Sequence, residues 1–126
     1  MRKTKWSTKS FYQSLKCALT GIKEIFISQR NIKIQMAAGI IAIAMGFLFK
    51  ISPNEWLAIA IVIGSVIAME STNTAIEYTV DLITEEKNEK ARIAKDASAA
   101  GVLLASITAT IVGMIIFLPK IIQFFL

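Results

Sequence analysis

The sequence predicts an all-α integral membrane protein with an N-terminal amphipathic surface helix and three transmembrane helices. Three observations carry this. Hydrophobic residues make up 55% of the 126 residues and charged residues only 18%, against about 45–50% and about 25% in soluble domains. Mean hydropathy is +0.60. The charges leave three long stretches empty, at 36–49, 56–69 and 97–118. Such a composition excludes a disordered chain and argues against a soluble enzyme folded round one compact core.

The N-terminal segment is the surface helix, predicted over about 7–29. Phe11, Leu15, Ala18, Leu19, Ile22, Ile25 and Phe26 recur at spacings of three and four, so they share one helical face, with Lys9, Lys16, Lys23 and Glu24 off it. A basic amphipathic helix without a continuous apolar run lies in the membrane interface or packs on protein. It does not read as a signal peptide, because charge interrupts its apolar residues. The spans follow at about 32–50, 54–83 and 93–119. Only the third uncharged run reaches by itself the roughly 20 residues that cross a bilayer; the first two reach it with their polar flanks. Pro53 is placed to start the second helix after a short turn, and Trp6 and Trp56 suit interface anchors. The whole is read as a single membrane domain, 1–126.

Basic residues set the expected topology. Arg2, Lys3, Lys5, Lys9, Lys16, Lys23, Arg30 and Lys33 precede the first span, and Lys87, Lys90, Arg92 and Lys95 lie between the second and third. Lys50 and Lys120 alone fall on the other side. Twelve against two places the N-terminus and the 84–95 segment in the cytoplasm. The net charge of +5 is thus mostly a topology signal. No basic stripe interleaved with stacking aromatics supports a nucleic-acid partner.

Continuing the second helix past its apolar run aligns Glu70, Asn73, Glu77 and Asp81. At roughly 100° per residue their offsets of 3, 7 and 11 fall within about 80° of arc. Glu70 lies about 25 Å along a helix starting at Pro53, near the inner membrane boundary. A carboxylate at mid-membrane costs at least about 2.5–3.5 kcal/mol, so three acids on one face at this depth require a partner. A divalent cation is one, and magnesium commonly arrives with nucleotide phosphates. Lys95 and Asp96 start the third span at the same boundary, and 84–91 reads as a solvated charged loop able to fold over it.

Other chemistries lack their parts. The chain has no His and one cysteine, Cys17, which removes the usual base of Ser or Cys catalysis, zinc sites and an internal disulfide. The six glycines are scattered and form no phosphate-cradling loop. A carboxylate base with carboxylate-bound magnesium remains, and phosphoryl transfer needs little more than positioning, charge neutralisation and a proton acceptor. The competing class is a small oligomeric transporter using an intramembrane Glu, which predicts an acid nearer mid-membrane and no charged cluster at its level.

The motif Glu70-x-x-Asn73-Thr74-Ala75-Ile76-Glu77-x-x-Val80-Asp81, followed by Ala94-Lys95-Asp96, resembles the signature of the prokaryotic diacylglycerol kinase family. The order of surface helix and three spans is similar over nearly the whole chain. Arg30-Asn31-Ile32 and the closing Ile116-Phe-Leu-Pro-Lys120 look more like its Gram-positive, undecaprenol kinase-like branch. The resemblance implies ATP- and magnesium-dependent phosphorylation of a membrane lipid hydroxyl in the bacterial cell membrane. Undecaprenol is the expected acceptor and diacylglycerol, giving phosphatidic acid, the alternative. It implies Glu70 as general base and Glu77 as magnesium ligand. Asn73, Asp81, Lys95 and Asp96 would position ATP and neutralise charge, with Glu86 and Glu89 adding nucleotide contacts from the loop. It also implies a homotrimer with sites built between protomers. One departure stands out. Where the family places a second magnesium-binding Glu before the first span, this chain has Gln29 in Ser28-Gln29-Arg30-Asn31; its amide oxygen can ligate, but without charge.

Overall fold

The computed structural model describes residues 10–126 as four helices joined by short connections: α1 (Phe11–Ser28), α2 (Arg30–Leu48), α3 (Pro53–Ile83) and α4 (Glu89–Phe125). Trp6, Arg2, Lys3, Lys5, Lys9 and the expected start of the surface helix at 7 lie outside the described residues. α1 begins where Ser10 and Gln13 form a reciprocal capping box, which satisfies two backbone donors that a helix start leaves free. Gln29, with extended backbone (φ −109°, ψ 119°), ends α1 and precedes α2, so one residue separates the two helices.

The turn between α2 and α3 is closed by local chemistry. Lys50 adopts φ 51°, and the Ile51 N–H bonds back to the Gly46 carbonyl at 3.1 Å. Ser52 and Glu55 form a second capping box, with Pro53 in the first turn, where its missing N–H is not needed. The close approach at Gly46 has a steric cause. A Cβ there would sit 2.6 and 2.8 Å from carbons of the Trp56 ring.

α2, α3 and α4 are each long and apolar enough to cross a membrane. Their 19, 31 and 37 residues correspond to about 28, 46 and 55 Å at 1.5 Å per residue, so α3 and α4 outrun a hydrocarbon core of about 30 Å. α3 and α4 pack antiparallel along their length. Asp81 stands opposite Lys95, Asn73 opposite Ser98 and Glu55 opposite Lys120, with hydrogen bonds of 2.6 Å at each level. Met69 fills the space beside Gly101 that a side chain would otherwise take.

The helix α4 extends beyond the expected span of about 93–119 at both ends. It starts at Glu89, not near 93, because the Asn88 side chain caps the Lys90 and Ala91 N–H groups; the expected loop over 84–91 contracts to 84–88. α4 also runs through Pro119 to Phe125. Proline removes one backbone donor, and the Lys120 ammonium next to it donates to the Ile116 carbonyl and to Glu55.

The apolar core is small and lies at the α2–α3 turn. Ile51, Ile59, Ile116 and Phe117 form it, with Phe49, Met45 and Trp56 against them. Large apolar side chains such as Ile41, Phe47, Leu57, Ile61, Leu104 and Ile115 point outward from the helices. At the other end of α3 the buried groups are polar: Glu70, Asn73 and Thr74, with Ser98 of α4.

Candidate active site

α3 changes character at Glu70, where apolar residues give way to a polar face. Glu70 is only 2% exposed. Its carboxylate Oε1 accepts a 2.9 Å hydrogen bond from Nε2 of Gln35 on α2, and its carbonyl accepts one from the Thr74 hydroxyl. A buried carboxylate is tolerated only when paired or hydrogen-bonded, and Gln35 supplies that donor. The other end of the same amide, Gln35 Oε1, is buried and without a hydrogen-bond partner. A buried acceptor left open costs about 1–3 kcal/mol.

One turn further on, the polar face turns to α4. Asn73 Nδ2 donates to Glu77 Oε1 at 3.3 Å, and Asn73 Oδ1 accepts from the Ser98 hydroxyl at 2.6 Å. Ser98 also lies 2.9 Å from the Lys95 carbonyl. Lys95 Nζ in turn donates to Asp81 Oδ1 at 2.6 Å. Among the described residues no hydrogen bond engages the second oxygen of Glu77.

The remaining expected site residues are placed differently. Asp96 follows Lys95 in sequence but pairs with Arg92 at 2.8 Å, and Arg92 also holds Glu89. Glu89 therefore belongs to the first turn of α4 and not to a loop. Glu86 stays in the 84–88 connection, where its N–H donates to the Thr84 hydroxyl. Gln29 sits at the α1–α2 break, where its N–H donates to the Ile25 carbonyl at 3.0 Å and its side chain makes no capping bond. Asp81, Glu86, Glu89, Arg92 and Lys95 line an open cleft of about 630 Å³ between the end of α3 and the start of α4.

The structure thus joins Asn73, Glu77, Asp81 and Lys95 across α3 and α4, sets Glu70 against α2, and gives Asp96 and Glu89 to Arg92. Three participants escaped the sequence reading: Gln35, Ser98 and Arg92. Gln35 carried a signal, since it is an amide flanked by Ile34 and Met36 at the start of a span. Ser98 lies three residues after Lys95 and so shares its helical face. Its hydroxyl was lost within a run counted only for absence of charge. Chemically, the arrangement offers a buried carboxylate able to take a proton. It also offers hard oxygen donors at Glu77 and Asp81, and a cation, Lys95, beside an open polar cleft.

Comparison with known proteins agrees in kind. The family model for prokaryotic diacylglycerol kinase matches residues 16–117. An undecaprenol kinase of Bacillus subtilis strain 168 is 40% identical over 111 residues, which is 88% of this chain and 90% of that protein. A diacylglycerol kinase of Synechocystis sp. strain PCC 6803 is 34% identical over 125 residues, covering 98% of this chain and 71% of the relative. A three-helix membrane fold with a carboxylate-lined face at one end of its longest contact, and a match over most of its length, make this chain a lipid kinase that belongs to the prokaryotic diacylglycerol kinase family.

Proposed function

We propose that this chain transfers the γ-phosphoryl group of ATP to the hydroxyl of undecaprenol at the inner surface of the bacterial cell membrane. The observation that carries the reading is the Gln35–Glu70 pair. Gln35, whose amide holds the buried Glu70 carboxylate, lines an apolar groove of about 410 Å³ that α2, α3 and α4 build with Ile40, Ile43, Ile63, Val66 and Phe117. A long hydrocarbon with one terminal hydroxyl suits such a groove. The 40% identity to an undecaprenol kinase favours the polyprenol, and the second relative keeps diacylglycerol as the alternative acceptor.

Glu70 is the general base in this reading. Gln35 Nε2 orients its carboxylate towards the incoming hydroxyl. Glu70 takes the hydroxyl proton as the lipid oxygen bonds to the γ-phosphorus. The bond from that phosphorus to the β–γ bridging oxygen breaks, and ADP leaves with the electron pair. Glu70 and Glu77 are seven residues apart, about 10 Å along α3, which leaves room for the hydroxyl and terminal phosphate between them. Lys95 carries positive charge to the phosphates, and Asp81, Asp96, Glu86 and Glu89 border the nucleotide.

Among the described residues no three acidic, His or Cys side chains gather into a metal cage. That fits magnesium, which commonly takes one or two carboxylates and completes its shell with phosphates and water. Glu77, with one oxygen uncommitted, would hold it, and Gln29 would add a neutral ligand. When bound, the ion neutralises charge developing on the phosphates. The basic residues put the N-terminus and the 84–88 connection in the cytoplasm. α1, with Phe11, Leu15 and Leu19 exposed, lies in the interface. Three copies assemble so that neighbouring protomers complete each site.

The test is a mixed-micelle assay with magnesium, labelled ATP and either lipid. Label in undecaprenyl phosphate is expected, and transfer to neither lipid would overturn the kinase reading. Transfer to diacylglycerol alone would reassign the acceptor. Glu70→Gln is expected to abolish turnover while leaving nucleotide binding largely intact; lost ATP binding would make Glu70 a ligand.

A further inference from the structure

We infer that Ser98 is a positioning residue, which acts through Asn73 to fix how Glu77 presents its carboxylate to the divalent cation. The inference rests on Glu77 being the cation ligand, as proposed above. Ser98 and Asn73 are both buried, each 8% exposed, at the α3–α4 contact. The Ser98 hydroxyl has one proton and two acceptors in reach, Asn73 Oδ1 at 2.6 Å and the Lys95 carbonyl at 2.9 Å. The shorter contact directs that proton to Asn73.

This settles the amide orientation. With Oδ1 held by Ser98, Nδ2 faces Glu77 Oε1 at 3.3 Å. Turning the amide over would give Nδ2 to Ser98 but set Oδ1 against the carboxylate, two acceptors face to face. The Ser98 donor on one side and the carboxylate on the other therefore select one orientation. Nδ2 then occupies one oxygen of Glu77 and leaves the other for the cation. Without the hydroxyl, Oδ1 loses its donor from α4, and the amide is free to leave Glu77. Hydrogen-bond partners behind a metal ligand commonly shift affinity by 10–100-fold, and Ser98 stands one residue further back. An effect near the lower edge follows.

The experiment measures Mn²⁺ binding by electron paramagnetic resonance on the full chain in micelles with ADP, beside the magnesium dependence of turnover. Ser98→Ala is expected to weaken Mn²⁺ binding about 10-fold and to raise the magnesium needed for half-maximal rate in step. In an Asn73→Ala background the Ser98→Ala change is expected to have no further effect on Mn²⁺ affinity. Unchanged affinity in Ser98→Ala, or an additive loss in the double variant, would overturn the inference. Glu77→Gln serves as the separate control: if it leaves Mn²⁺ binding intact, the assignment of Glu77 as ligand fails, whatever Ser98 does.

Discussion

Replacing Gln35 with Leu removes one side chain and touches two balances at once. The bond it donates to the Glu70 carboxylate, 2.9 Å long, is of the charge-assisted kind, for which about 1.5–3 kcal/mol is usual. Neutral interhelical hydrogen bonds in membranes average only about 0.6 kcal/mol and reach about 1.7, so a value near 2 kcal/mol is reasonable here. Against that loss, Leu also removes the buried, unpartnered Oε1, whose burial costs about 1–3 kcal/mol. The gain does not cancel the loss, because Leu leaves the buried Glu70 carboxylate without its donor, and Gln35→Leu is expected to destabilise the protein by about 1–3 kcal/mol. Catalysis suffers as well, because the group that orients the base disappears. A fall of about 10–100-fold in kcat/KM for undecaprenol follows, equivalent to about 1.4–2.7 kcal/mol of transition-state binding. KM for ATP stays unchanged, since the Asn73–Ser98 and Asp81–Lys95 contacts are made on α4. The assay pairs micelle kinetics with varied lipid and varied ATP against denaturant unfolding of the same samples. Unchanged kcat/KM for the lipid, or a rise in KM for ATP of equal size, would refute the reasoning.

Three further outcomes are expected. Gly46→Ala drives a methyl into the Trp56 ring and should cost about 1–3 kcal/mol as overpacking does, whereas Gly64→Ala, which meets nothing within 4 Å, should be neutral or stabilising by up to about 1 kcal/mol; thermal unfolding in detergent compares them. Asn88→Ala removes the cap on the Lys90 and Ala91 amides, costing about 0.5–2 kcal/mol, and faster hydrogen exchange at the start of α4 is the direct readout. Gln29→Glu restores charge at the α1–α2 break and should lower the magnesium concentration that supports half-maximal turnover; an unchanged requirement would remove Gln29 from the metal site.

The polar motif was legible because a helix converts spacing into direction: residues 70, 73, 77 and 81 must share a side of any straight α-helix. What spacing cannot give is the neighbour that each one meets. Glu70 turns to α2 and is buried against Gln35, while Asn73 and Asp81, three and eleven residues on, turn to Ser98 and Lys95 of α4. Asp96 shows the same limit. Adjacent to Lys95 in sequence, it faces elsewhere and pairs with Arg92 one turn away, because successive helical residues differ by about 100° in direction.

By itself, then, the sequence determined the class of molecule. Apolar runs that cross hydrocarbon with their flanks, basic residues concentrated in two segments and a missing histidine are one-dimensional quantities, and the solvent acts on them segment by segment. Only the tertiary structure decided which groups complete the carboxylate face. Gln35 is 35 residues from Glu70 and Ser98 is 25 from Asn73, separations that no local periodicity reports. The antiparallel register of α3 and α4, with Gly101 admitting Met69, sets which amide and hydroxyl reach across. A buried polar atom must find its partner within about 3 Å, and that condition is met in space, by helices packed at a particular height, and not along the chain.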